Sequence, residues 1–335
     1  MSAIVVSGLA KSYVTYRKGE GLRGSLRALF KRERVVRAAV RGVDFAIAPG
    51  ERVGFLGPNG AGKTTTMKML AGILYPSAGS AAVLGYVPWE RKKAFLRQFA
   101  LVMGQKAQLD WDLPAADSFA LNRDIYELDH ATYRRRLGEI VELFELGDVL
   151  HVPVRQLSLG ERMKCELAAS LLHGPKVLLL DEPTIGLDLV AQKRLRQFLR
   201  AYAATHDVTL MLTSHYMQDV KELCERVIVI DRGAIGFDGN LAALTAQAAV
   251  RRISVVFAEP VAGGRLEAVL GPLGGITGRE GDQWGVRLEC ERAALPTVVG
   301  ALMQAFAVDD LKVEEPDIDD VIGELFARVR AAHDA

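Results

Sequence analysis

Short apolar runs free of charge alternate along this chain with longer stretches whose apolar residues recur every three or four positions. The runs at residues 177–180, 208–212 and 227–230 have the texture of strands buried on both faces, 53–56 and 99–103 are further apolar runs, and helical stretches lie between. Buried strands alternating with helices predict an α/β core built on a parallel sheet. A different strand texture occurs nearer the start. Residues 4–6 form a short β-rich run closed by Ser7-Gly8, and Val43, Phe45 and Ile47 alternate before a Pro49-Gly50 turn. A turn over residues 75–80 introduces a strand at 81–84, and a helix follows at 90–98.

From residue 106 to 172 the texture becomes helical. Asp117 and Ser118 can cap a helix carrying Phe119, Asn122, Ile125 and Tyr126, and Tyr133, Leu137, Ile140, Val141 and Phe144 form a second stripe. A helical subdomain inserted in the α/β core is expected, with Trp111-Asp112-Leu113-Pro114 as a stiff connecting loop. Beyond the core, residues 241–250 read as a connecting helix, and strands are expected at 252–257, 285–288 and 311–314 with helices between them. Ile318, Val321, Ile322, Leu325, Phe326 and Val329 then make an amphipathic helix with Asp317 as its cap. The expected division is a first domain at 1–240, a linker at 241–251 and a small α+β accessory domain at 252–335.

Residues 17–41 are the most basic segment. Leu22, Leu26, Leu29 and Phe30 share one helical face while Arg23, Arg27, Lys31 and Arg34 share another, and Gly21 and Gly24 weaken the start. Such a helix suits an anionic membrane surface, an acidic groove on a partner, or packing of its stripe onto its own domain.

Composition narrows the function. With 335 residues, 50% hydrophobic and 25% charged, the chain has material for two packed domains. A net charge of +1 argues against a protein that coats nucleic acid. Cys165, Cys224 and Cys290 lie far apart with no CxxC pair, so neither a disulfide framework nor a zinc site is expected, and a reducing compartment fits. Residues 1–10 do not form a signal h-region, and no apolar run is long enough to cross a bilayer. That leaves attachment to a membrane through a partner.

The chemistry centres on Gly57-Pro58-Asn59-Gly60-Ala61-Gly62-Lys63-Thr64-Thr65, which follows one buried strand and opens a helix. Strand, glycine-rich loop and helix are the context of a phosphate-binding loop. Glycines let the backbone N–H groups turn inward around a phosphate, and the helix start adds its positive dipole end. Lys63 is placed for the β- and γ-phosphates and the Thr64 hydroxyl for Mg²⁺. Asp181 and Glu182 end another buried strand, where Asp181 can hold the metal through water and Glu182 can polarise an attacking water. An aromatic upstream of such a loop, Tyr13, can stack on a purine ring or simply pack.

Leu157-Ser158-Leu159-Gly160-Glu161, about two dozen residues before the Asp-Glu pair and leading into a helix, resembles the LSGGQ signature of ATP-binding-cassette (ABC) ATPases. It departs from that pattern at Leu159 and Glu161 and keeps Ser158 and Gly160. Ser158 also has the chemistry of a helix cap. The resemblance implies an α/β P-loop NTPase with a mixed-sheet core, an inserted helical subdomain and the accessory domain. It further implies that Gln105 senses Mg²⁺ and water, that Asp188 lies in the loop crossing a dimer interface, and that His215 is the switch histidine at the γ-phosphate. Tyr13 becomes the adenine-stacking candidate.

ABC ATPases work as head-to-tail homodimers in which ATP lies between the phosphate loop of one copy and the Ser158 loop of the other. Closure on ATP and reopening on hydrolysis drive a separate transmembrane permease, so this chain is expected on the cytoplasmic side of a bacterial inner membrane. The Glu315-Pro316-Asp317-Ile318 stretch and the Met103-Gly104-Gln105-Lys106 stretch resemble ATPases of bacterial ABC type 2 exporters. Importer ATPases and polysaccharide exporter ATPases are the alternatives. Translation factors carrying two cassettes in tandem, DNA-repair cassettes with a long coiled coil, and small-molecule kinases lacking the Ser158 and His215 motifs fit less well.

Overall fold

The computed structural model describes residues 2–17, 33–104, 108–246, 250–315, 320–323 and 325–327. The chain divides between Gly239 and Asn240 into two units.

The first unit opens with two long strands, β1 (Ile4–Arg17) and β2 (Glu33–Ile47), followed by β3 (Arg52–Leu56), α1 (Lys63–Leu70) and β4 (Ala78–Val83). The short α2 (Lys93–Leu96) and β5 (Phe99–Met103) lead to the helices α3 (Ala115–Ile125), α4 (His130–Phe144) and α5 (Leu159–Leu171). The chain then returns to the sheet with β6 (Val177–Asp181), α6 (Leu189–His206), β7 (Thr209–Thr213), α7 (Met217–Leu223), β8 (Arg226–Asp231) and β9 (Ala234–Asn240). Six strands form one sheet in the order β5-β6-β7-β3-β8-β9, and the pairs from β5 through β8 are parallel. A second, antiparallel sheet has the order β2-β1-β4. The expected mixed-sheet core is therefore present.

β6 and β7 are buried at every residue, as their apolar texture requires. Helix α1 lies between the two sheets, touching β2 and β4 on one side and β6 on the other. Its Met67, Met69 and Leu70 share one core with Ile4, Leu9 and Phe45 of the antiparallel sheet and Leu179 and Met211 of the parallel one. Burial of such side chains, about 1.5–3 kcal/mol each, fixes the helix and with it the loop at its start.

Several expectations at the ends of elements need correction. The first strand runs on to Arg17, because Gly8 (φ 55°) forms a bulge in the β1–β2 ladder rather than a turn, with its N–H bonded to Asp44 Oδ1 at 2.8 Å. Residues 33–41, assigned to the basic segment, are strand paired with β1, so Arg34 belongs to β2 and not to a helical face. The helix proposed from Leu22 to Lys31 lies outside the described residues. Expected helix 90–98 contracts to Lys93–Leu96 behind a 3-10 turn at Pro88–Glu90. Helix α3 starts at Ala115 directly after Pro114, so Asp117 sits in its first turn and neither Asp117 nor Ser118 caps it. Strand β9 was not expected.

The second unit contains α8 (Leu241–Ala246), β10 (Val250–Phe257), α9 (Gly263–Leu270), β11 (Ile276–Gly281), β12 (Gly285–Glu291), α10 (Leu295–Ala305) and β13 (Val308–Glu314). Its four-stranded antiparallel sheet has the order β11-β12-β10-β13, a split βαβ arrangement. Ile253, Val255 and Phe257 alternate inward on β10 to meet Leu266, Leu270, Val298 and Leu302 of the helices. The sheet begins at Val250, within the expected linker, and β11 was missed because its Ile-Thr-Gly-Arg-Glu-Gly sequence has no alternation. Residues 320–323 and 325–327 are helical with Val321, Ile322 and Leu325 buried, while Asp317 lies outside the described residues. Cys165 on α5, Cys224 after α7 and Cys290 on β12 are all buried and free.

Candidate nucleotide-binding site

Residues 57–62 connect the end of β3 to the first turn of α1. Two glycines are required by close approach. A Cβ on Gly57 would lie 2.1 Å from the Ile230 carbonyl oxygen. Gly62, at φ +114°, precedes the helix, and a Cβ there would meet the Ala39 carbonyl oxygen at 2.6 Å. The loop closes on itself through Ala61 N–H to the Pro58 carbonyl at 3.1 Å, and is tied to the turn between β8 and β9 by Gly233 N–H to the Ala61 carbonyl at 2.9 Å. Pro58, Thr64 and Thr65 are half-buried, Ala61 is buried, and Asn59 and Gly60 are exposed.

Lys63 is only 6% exposed. Its Nζ donates to the carbonyls of Gly57 at 2.6 Å and Pro58 at 3.2 Å, so the ammonium is held inside the loop it follows. Burial pushes the Lys63 pKa down, and the charges of Glu182 and Asp181 push it back up. The lysine loop and the strand-end acids therefore share one electrostatic environment.

Asp181 and Thr213 are directly opposite in the β6–β7 ladder. The Thr213 hydroxyl donates to Asp181 Oδ1 at 2.6 Å and accepts from the Glu182 N–H at 3.1 Å, which also reaches the Thr213 carbonyl at 3.0 Å. Glu182 itself adopts a left-handed conformation (φ 55°), uncommon for a residue with a Cβ and typical of sites where the surroundings over-determine the backbone. His215 Nε2 lies 2.8 Å from its Oε1, an ion-pair distance, with the Glu182 side chain 17% and the His215 side chain 43% exposed. The predicted pair is thus brought together at the end of two adjacent strands.

Beneath this pair lies a buried polar cluster that the sequence did not signal. Asp219 on α7 has no exposure. It accepts from Ser214 Oγ at 2.6 Å, from Arg196 of α6 at 3.0 Å and from the Thr184 hydroxyl. Ser214 precedes His215 and Thr184 follows Glu182 by two positions, so one carboxylate ties both loops to α6.

Ser158 caps α5. Its Oγ accepts the Glu161 N–H at 3.3 Å, and Glu161 Oε2 accepts the Ser158 N–H at 2.9 Å, a complete capping box. Asp188 caps α6 through Ala191 N–H at 2.8 Å. The two caps are neighbours: Leu159 packs on Gly186, and Gly160 faces Ala191. Leu159, Leu189 and Val190 are exposed there. Within one chain, no hydrogen bond or ion pair among the described residues joins Ser158, Gly160 or Asp188 to the Lys63 loop. Tyr13 lies on β1 opposite Arg37, exposed, with Lys11 Nζ 5.6 Å from its ring centre. Gln105 lies outside the described residues. Close to it in sequence, the Gln108 N–H bonds both oxygens of buried Glu166 on α5, at 2.9 and 3.0 Å. Burial raises the Glu166 pKa.

A glycine cradle with a buried lysine, set opposite two strand-end carboxylates, defines a P-loop nucleotide-binding protein. A family model described as ABC transporter matches residues 40–185, and one described as EvrA-like ABC transporter, C-terminal domain, matches residues 249–314. The chain is 34% identical over 285 residues to the daunorubicin resistance ATP-binding protein DrrA3 of Streptomyces coeruleorubidus, covering 84% of this chain and 89% of that protein. It is 32% identical over 215 residues to the ABC transporter ATP-binding protein NatA of Bacillus subtilis, covering 64% and 87%. Nod factor export ATP-binding protein I of Ralstonia nicotianae matches at 37% over 195 residues, 58% of this chain and 60% of that one. Among solved structures, an ATP-binding subunit of an ABC transporter superposes with TM-score 0.60 at 24% identity, covering 73% of this chain and 93% of that one. A dimeric ATP-binding cassette in a post-hydrolysis state with ADP and Pi superposes with TM-score 0.59 at 21% identity, covering 71% and 98%. The chain belongs to the ABC transporter family as one of its ATP-binding proteins, an ABC ATPase related to exporter subunits.

Proposed function

We propose that the chain is the ATP-hydrolysing subunit of an exporter, working as a homodimer beneath a separately encoded permease. The observation that carries the reading is the strand-end arrangement: Lys63 buried in its loop within the field of Asp181 and Glu182, and Glu182 at ion-pair distance from His215. On ATP binding, the β- and γ-phosphates replace the Gly57 and Pro58 carbonyls as partners of Lys63. Glu182 orients the attacking water, and His215 positions Glu182 and meets the γ-phosphate. Tyr13 stacks on the adenine. The loop residues Gly57 to Thr65 cradle the phosphates, and Ser158, Gly160 and Asp188 act on the nucleotide of the other copy. Thr64 and Asp181, with Gln105, suit Mg²⁺ because all are hard oxygen donors and the Thr213 hydroxyl already orders Asp181. The ion would neutralise phosphate charge when bound.

No helix among the described residues is long and apolar enough to cross a membrane. Kinship with export ATP-binding proteins supports work at the cytoplasmic face of the membrane, reached through the permease. A groove of about 360 Å³, lined by Ile73, Leu101, Ile125, Tyr126 and Gln108 between the sheet and the helical subdomain, is the seat favoured for that partner. The unit ending at Gly239 is read as the cassette, and the unit from Asn240, with its sheet starting at Val250, as an accessory, regulatory domain.

The test is Glu182→Gln in the full chain. It should keep ATP binding, lose turnover by about 100-fold or more, and accumulate ATP-dependent dimers on size-exclusion chromatography. Undiminished turnover would remove Glu182 from its role.

A further inference from the structure

The last residue of the Leu157-Ser158-Leu159-Gly160-Glu161 loop carries a carboxylate where the family pattern has a carboxamide. The difference bears on one proton. Glu161 Oε2 accepts both the Ser158 N–H at 2.9 Å and the Ser158 hydroxyl at 2.7 Å, while the Ser158 Oγ accepts the Glu161 N–H at 3.3 Å. A serine hydroxyl has a single proton, and a carboxylate can only accept. In the resting protomer the hydroxyl proton of Ser158 is therefore committed to Glu161. A carboxamide has a second arrangement open to it that a carboxylate lacks: its oxygen can accept the Ser158 N–H while its NH₂ turns to donate to Oγ, leaving the hydroxyl proton free for an incoming anion.

Charge works in the same direction. The first turn of α5 presents a positive dipole end, and Glu161 is the acidic residue in that turn. Its two hydrogen bonds from Ser158 hold its carboxyl below the usual carboxylate range, so it is ionised at neutral pH. The helix end that would attract a phosphate already carries a negative charge.

We propose that Glu161 is a restraint on dimer closure: it holds the Ser158 hydroxyl proton and opposes the nucleotide phosphate, so two copies close only at higher ATP than a glutamine at this position would require. The inference rests on the reading that Ser158 meets the nucleotide of the second copy. For closure, the Ser158 hydroxyl must turn from Glu161 to the phosphate, and the capping box must then be held by the two N–H bonds alone.

The experiment uses the full chain carrying Glu182→Gln, with ATP and Mg²⁺ titrated and the dimer fraction read by sedimentation velocity. Adding Glu161→Gln, which preserves the capping box and so the helix start, should lower the ATP concentration for half-association at least about threefold, the size expected for releasing one hydrogen bond. The gap should narrow as salt rises, since part of it is electrostatic. An unchanged or higher ATP requirement overturns the restraint. Ser158→Ala in the same background separates the two readings. If it impairs association while Glu161→Gln has no effect, the composite site stands and the restraint fails. If it associates like its parent, or if the parent never associates, the composite-site reading fails and takes the restraint with it.

Discussion

Removing the Asp219 carboxylate tests whether the buried cluster under the Glu182–His215 pair holds the site in place. Asp219 has no solvent exposure and accepts three hydrogen bonds, from Ser214, Thr184 and the guanidinium of Arg196, itself 7% exposed. Asp219→Ala leaves a buried cation without its main acceptor, which costs about 3–5 kcal/mol in comparable pairs. Arg196 keeps a partial counter-charge, because its Nε lies 3.1 Å from Glu222 Oε1, an ion-pair distance without hydrogen-bond alignment. The cost should therefore fall at the low end, about 3 kcal/mol, against a total stability on the order of 5–15 kcal/mol. Replacing Arg196 with Met in the same chain removes the orphaned charge, so Asp219→Ala/Arg196→Met should be more stable than Asp219→Ala alone. Urea unfolding followed by tryptophan fluorescence measures both. Trp284 lies in the second unit, so a Trp284→Phe background confines the signal to Trp89 and Trp111 of the first. Turnover should drop further than ATP affinity, because the cluster holds the neighbours of Glu182 and His215 and makes no hydrogen bond to the Lys63 loop among the described residues. A loss below about 1 kcal/mol for Asp219→Ala, or a double variant as unstable as the sum of its parts, would refute the reasoning.

Two other buried groups yield separate expectations. His173 is 5% exposed, bonded through Nε2 to the Phe99 carbonyl at 3.1 Å and stacked on Tyr126 at 3.9 Å, and burial lowers its pKa to about 4. The unfolded chain then binds the extra proton first, so stability is full above about pH 6.5 and falls by on the order of 3 kcal/mol as pH drops toward 4; His173→Gln should flatten that part of the pH–stability curve. Glu166→Leu removes the carboxylate that accepts the N–H groups of Gln108 and of buried Leu109, should cost about 1–3 kcal/mol, and should speed amide exchange at both residues relative to the strands of the parallel sheet.

The phosphate loop was legible because its chemistry is local: fixed glycine spacing, a strand before it and a helix after it. Asp181 and Glu182 were legible because four apolar residues announce the strand they end. Gly8 misled, since a glycine in a β run signals either a turn or a bulge, and only pairing with β2 and β4 decides which. Strand β11 lacks apolar alternation, and β9 shows only Ile235 and Phe237 alternating among glycines, too little to announce a strand. The Asp219–Arg196 pair, 23 positions apart on two helices, could not be seen without the packing. The Ser158–Glu161 box, three positions apart, is a visible pattern that reads at once as a cap and as part of a signature.

Three silent thiols give this chain an internal clock. Cys165 sits in the helical subdomain, Cys224 beside the parallel sheet and Cys290 in the C-terminal sheet, each buried, with the Cys165 thiol pushed up to about 12 and the other two raised by the same cause. Since only an exposed thiolate reacts, each cysteine is labelled solely when its own part of the protein opens. Labelling rates in the unmodified chain would therefore time the breathing of three regions separately, and would report which of them ATP makes still.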